Sequence, residues 1–240
     1  SYCSLCGYLQ YCCTCGPSSM PRALDRMINP IRATALMLAL LATSGCESTY
    51  YSAMESVGIE KRDILVDRVE DARDAQEDAQ EQFASALEQY SALLNFDGGE
   101  LQRVYASLND EYEASADAAA DVSSRIHAIE DVADDLFDEW QEELEEYSSA
   151  TLKRDSTQKL RDTQRRYNDL IRSMRKAESR MDPVLVALKD NVLYLKHNLN
   201  AKAIGALQGE LGSIESDVAR LIAEMNSAIV ESNAFIQSLK

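Results

Sequence analysis

The sequence predicts an all-α protein, an elongated antiparallel four-helix bundle with coiled-coil packing. Three observations carry this. Helix breakers are scarce: 240 residues contain four prolines and nine glycines, whereas Ala, Glu, Asp, Leu and Gln abound, a composition that suits long helices better than sheets. Apolar residues recur at alternating steps of four and three, which is a heptad seam. Short polar or glycine-bearing stretches separate the seams, and short connections force neighbouring helices to run antiparallel.

The first seam runs Leu65, Val69, Ala72, Ala79, Phe83, Ala86, Tyr90 and Leu93, with Gln76 in one core-type slot. Asn95-Phe96-Asp97-Gly98-Gly99 then breaks it, with glycines suited to a helix end and a tight turn. The second runs Leu101, Tyr105, Leu108, Tyr112, Ser115, Ala119, Val122, Ile126, Ile129, Ala133, Leu136 and Trp140. A four-residue step to Leu144 and Tyr147 follows, a stutter that relaxes supercoiling.

Ser148-Ser149-Ala150-Thr151 reads as the next turn, and Asp155 with Gln158 as a capping box that starts the third helix. That helix carries Leu160, Tyr167, Met174, Met181, Leu188 and Leu195 at strict seven-residue spacing, with Ile171, Leu185 and Val192 between. Asp182-Pro183 predicts a kink or a restart, because proline lacks the backbone donor. His197-Asn198-Leu199-Asn200 is the third turn. The last seam runs Ile204, Leu207, Leu211, Ile214, Val218, Leu221, Met225, Ala228, Ser232, Phe235 and Leu239. Each helix is expected to hold about forty residues and to extend about 60 Å.

Upstream of these seams the chain reads as an export signal. Arg22, Arg26 and Arg32 precede an apolar run from Ala33 to Ala42, and Thr43-Ser44-Gly45-Cys46 closes it. A basic region, a short apolar region and a small-residue junction make a secretory signal, too short to be a permanent membrane span. Cys46 after Ser-Gly resembles a lipobox, in which the thiol is acylated and becomes the mature N-terminus; Thr43 departs from the usual leucine. The expected organisation is a Cys-rich, non-native leader at 1–19, a lipoprotein signal peptide at 20–45, a tether at 46–58 and a helical-bundle domain at 59–240. Cys3, Cys6, Cys12, Cys13 and Cys15 all fall in the leader, ahead of Met20 and Met27 as plausible starts. Their spacing suits zinc, but a metal knuckle ahead of a signal peptide makes little sense.

Charge is unevenly distributed. Residues 47–150 hold 29 acidic and 6 basic residues, 151–200 hold 6 acidic and 12 basic, and 201–240 hold 5 acidic and 3 basic. Such a chain repels nucleic acid. The acidic end of the second helix and the basic start of the third favour pairing of those two. The basic stripe Arg161, Arg165, Arg166, Arg172, Arg175, Lys176 and Arg180 is the candidate interaction surface. Neutralisation by acidic neighbours is the bland reading of it, and contact with anionic membrane the sharper one.

Catalytic and metal constellations are weak. A di-metal bundle needs Glu-x-x-His on two helices, but Ser124 and Tyr194 stand three residues before His127 and His197. No thiol follows Cys46, no serine has an evident base partner, and no phosphate-cradling glycine loop occurs. No cofactor is expected. Gly205-x-x-x-Gly209 with Gly212 reads as close helix–helix approach near one end of the bundle, or as a backbone-lined groove.

Tyr50-Tyr51-Ser52-Ala53-Met54-Glu55, Gly58-Ile59-Glu60-Lys61-Arg62-Asp63-Ile64-Leu65-Val66, Leu160-Arg161-Asp162-Thr163-Gln164-Arg165-Arg166-Tyr167 and Leu195-Lys196-His197-Asn198-Leu199-Asn200-Ala201 together resemble an uncharacterised family of Gram-negative lipoproteins, domain of unknown function 2959. The resemblance covers nearly all of 46–240 and implies a lipobox and a helical domain, with no catalytic residue to carry over. The combined expectation is a non-enzymatic, lipid-anchored periplasmic bundle with a structural or protein-binding role. Its membrane contact runs through Cys46, and it has a protein partner or self-associates. Glu47 follows the cysteine; an Asp there would favour the inner membrane, so the outer membrane is expected. The alternatives are a membrane-associating rod that uses the basic stripe, and a metal-binding or enzymatic bundle.

Overall fold

The computed structural model describes residues 60–94 and 101–240. These form four helices: α1 Lys61–Leu94, α2 Leu101–Glu146, α3 Ala150–His197 and α4 Ala201–Leu239. Packing follows chain order, α1 on α2, α2 on α3, α3 on α4, and α4 closes the ring against α1. The fold is the expected all-α antiparallel bundle, with no strand among the described residues. The turn expected at residues 95–99, the expected leader and signal segment, Cys46 and the expected tether lie outside the described residues.

Most of the predicted seam is the core. Leu65, Val69, Ala72, Ala79, Phe83, Ala86, Tyr90 and Leu93 of α1 are buried, as is Gln76. In α4 the run from Ile214 through Val218, Leu221, Met225, Ala228, Ser232 and Phe235 is buried without a break. In α2, Leu101, Tyr105, Tyr112, Ala119, Leu136 and Trp140 are only partly buried, and Tyr147 is exposed.

Three local expectations change. The heptad row of α3 from Leu160 to Leu195 is buried as expected, but its companion row is Leu170, Ala177, Val184 and Asn191. Of the expected companions Val192 is buried, while Ile171 and Leu185 sit at the rim; a three-residue step after each heptad residue turns the observed row inward. Helix α3 starts at Ala150, capped by Ser149, whose Oγ accepts from the Leu152 N–H at 3.4 Å. Asp155 is therefore one turn inside the helix. Pro183 does not restart α3, which continues unbroken to His197. Pro183 and Ser179 are both exposed, so the Ser179 carbonyl, left without its usual donor, can turn to water.

Polar contacts set the vertical register. Lys61 pairs with Glu139 at 3.0 Å and Arg125 with Asp71 at 3.4 Å, joining α1 to α2. Lys240 meets Glu70 at 2.8 Å across the closing α1–α4 seam. At the other end of that seam the buried Tyr90 hydroxyl lies 3.0 Å from Asn191 Oδ1 and 2.9 Å from the Leu207 carbonyl, sharing its one proton between them. Asn191 Nδ2 donates to the Ala187 carbonyl at 2.7 Å, which fixes its orientation. Burial, with Glu210 adding to it, pushes the Tyr90 phenol far above its ordinary range.

Candidate interaction surface

The seven basic residues of α3 do not form one stripe. At 100° per residue, Arg161 and Arg175 share one side, Arg165 and Arg172 point straight out, and Arg166 and Arg180 share the other. Arg175 turns to α2 and holds Glu130 with two nitrogens, Nε at 3.1 Å, while its Nη1 reaches Glu178 at 2.9 Å. Lys176 reaches across to Glu224 of α4 at 2.8 Å. Arg165 and Arg172 bond to Asp162 and Asp169 of their own helix, the latter at 2.8 Å. Arg161, Arg166 and Arg180 have no ion pair among the described residues. The stripe is thus largely neutralised at its centre. The two-sided spread was readable from the spacing, since Arg161 and Arg175 are fourteen residues apart, as are Arg166 and Arg180.

Two carboxylates near Arg175 shift in opposite directions. Burial opposes ionisation of Glu178, but hydrogen bonds from Arg175 and Ser123 outweigh it and hold its carboxyl below the ordinary range. Asp134 moves the other way: burial first, then the neighbouring Asp138, Asp131, Glu130 and Asp135, raise its carboxyl. Glu130 is drawn into the Arg175 pair, while Asp131, Asp134 and Asp138 stand outside it. His127 is exposed, and its Nδ1 lies 2.8 Å from the Ser123 carbonyl.

A second surface was missed by pattern reading. Near the α3–α4 turn, Val186, Leu193, Tyr194 and Leu199 are all exposed, Val186 at 58 %. Val186 and Tyr194 line a groove of about 570 Å³ between α3 and α4, with Pro183, Ala187, Asp190, Ala206 and Glu210 among others. Gly205, Gly209 and Gly212 face open space: a Cβ at any of them would meet nothing within 4 Å. The expected close helix approach at these glycines is therefore absent, because their side of α4 turns away from the core. Val186 and Leu193 are a heptad apart, and that exposed spacing was the available signal.

No group of three His, Cys, Asp or Glu residues that could hold a metal occurs among the described residues. None of the described helices is long and apolar enough to cross a membrane.

Fold and surface together define an acidic, antiparallel four-helix bundle with charged and apolar patches on its outer faces. The chain belongs to the DUF2959 family, described as protein of unknown function, whose model matches residues 50–239. No curated protein and no solved structure matches it.

Proposed function

We propose that this chain is a lipid-anchored protein of the cell envelope, periplasmic and held at the outer membrane through Cys46, with a non-enzymatic structural or protein-binding role. The observation that carries this is the order Arg22, Arg26, Arg32, the apolar run to Ala42, and Ser44-Gly45-Cys46. The exposed apolar cluster around Val186 and Leu193 supports a binding role, because contiguous apolar surface on a soluble domain marks interaction sites. Metabolic labelling with a fatty-acid analogue, wild type against Cys46→Ala, tests the anchor. Labelling that survives the substitution would sink it.

The membrane-lying alternative rests on fewer free charges than the seven-residue stripe suggested. Arg165, Arg172, Arg175 and Lys176 are engaged within the bundle, which leaves Arg161, Arg166 and Arg180. Salt-sensitive co-sedimentation with anionic vesicles would favour that alternative.

A further inference from the structure

The groove between α3 and α4 has apolar walls and two carboxylates. Pro183, Val186, Ala187 and Tyr194 line it from α3, and Ala206 from α4. Asp190 and Glu210 line it from opposite helices, are exposed, and have no ion pair among the described residues. The contact of Lys176 with Glu224 at 2.8 Å sets the level of the two antiparallel helices. Fourteen residues further along α3 stands Asp190, and fourteen back along α4 stands Glu210. Two like charges therefore stand at one level on either side of the groove.

Nearby cations do not answer them. At 100° per residue, Lys189 and Lys196 lie on the α2 side of α3. Arg180 and Lys202 stand beyond the two ends of the groove, ten and eight residues from the carboxylate on their own helix, about 12 Å or more along the axis. Behind the carboxylates the floor is fixed. Asn191 and Leu207, which also line the groove, hold the Tyr90 hydroxyl of α1 at 3.0 and 2.9 Å. The outer side is wide and low. Leu193 and Leu199 extend the exposed apolar area toward the turn, and Gly205 and Gly209 leave open space over α4.

We propose that this groove receives an amphipathic helix of a partner protein, one whose apolar stripe is flanked by lysine or arginine. The inference deepens the protein-binding role proposed above and rests on it. Pro183 to Tyr194 covers about 17 Å, three helical turns, the length over which a docked helix places anchors at i, i+3 or i+4, and i+7. The stripe seats on Val186, Ala187 and Tyr194, and the flanking bases reach Asp190 and Glu210, relieving their repulsion. An anionic membrane brings the wrong charge to this groove. The excess of 41 acidic over 24 basic residues steers the same cationic partner from a distance.

The probe is a labelled synthetic helix of about eighteen residues, five turns, with leucines along one face and lysines on both sides of them. Its fluorescence anisotropy is followed as the full chain is added in a non-ionic detergent, with detergent alone as the baseline. Saturable binding at one peptide per chain is expected, and at least about tenfold weaker binding when glutamates replace the lysines. Asp190→Asn with Glu210→Gln should cost the lysine peptide about tenfold, and Asp190→Lys with Glu210→Lys should reverse the preference between the two peptides. Glu142→Gln with Glu143→Gln removes the same charge from exposed positions at the α2–α3 end and should leave binding unchanged. Circular dichroism checks that each variant is helical. No binding, equal binding of the two peptides, or equal losses from the groove pair and the distant pair overturn the inference. Binding that ignores the groove variants overturns the groove and keeps the protein-binding role, and fatty-acid labelling reads the anchor separately.

Discussion

Gln76 should make the bundle less stable than a thioether would. Its side chain is fully buried on the seam between Ala72 and Ala79, and neither its Nε2 nor its Oε1 has a hydrogen-bond partner. A buried polar group left unmade costs about 1–3 kcal/mol, and Gln76 contributes both a donor and an acceptor. Gln76→Met keeps the length and flexibility of the chain and removes both groups. The expected gain is about 2 kcal/mol, which for a domain of this size raises Tm by about 4–8 °C. Urea titration followed by circular dichroism should show a higher midpoint with an unchanged slope. Gln76→Glu is the opposite control, since an unpaired buried carboxylate must be neutralised or desolvated. A Gln76→Met variant no more stable than wild type would refute the reasoning and mean that the amide is satisfied in solution.

Other outcomes follow from the same packing. Gly205→Ala, Gly209→Ala and Gly212→Ala should each stabilise α4 by about 0.5–1 kcal/mol, because the added methyl meets open space and helical glycine carries an entropic cost; a midpoint that falls in urea would show that something covers that face. Tyr90→Phe should cost about 1–3 kcal/mol by leaving the Asn191 amide oxygen unpaired, and adding Asn191→Leu should recover part of the loss in a double-mutant cycle. Glu178 has a depressed folded value, so its contribution is present above the ordinary glutamate value of about 4.3 and disappears as pH falls through the lower one. Glu178→Gln should be less stable than wild type at neutral pH, with the gap closing in acid; a pH-independent gap in thermal melts would contradict this.

The seams were readable because packing repeats every heptad and apolar residues mark it. Two of the three companion positions read for α3 were off by one, Val192 being buried as expected, because Ala177 and Asn191, both buried, carry little apolar signal, whereas Ile171 and Leu185 carry a strong one and sit at the rim. Ser149 lost to Asp155 as the predicted cap for a similar reason: several polar residues near a turn can cap, and only the backbone selects one. The glycines of α4 show the converse limit. Their spacing is compatible with close approach or with exposure, and the direction of the α4 core face decides between them. The same holds for the surface: the number of basic residues on α3 was countable in advance, but their partners Glu130 and Glu224 are distant in sequence and come within reach only once α2 and α4 are in place.

Of the four main helix pairings among the described residues, one joins elements far apart along the chain. Three are made between successive helices, while the α1–α4 seam brings Lys240 to Glu70. Local contacts form with little loss of loop entropy, and chains dominated by them fold in microseconds to milliseconds. Closing the ring is then the slow event in folding and its opening the first in unfolding. Amide hydrogens on the facing sides of α1 and α4 should exchange sooner than those between α2 and α3, with Tyr90 acting as the latch whose release lets the two end helices swing apart.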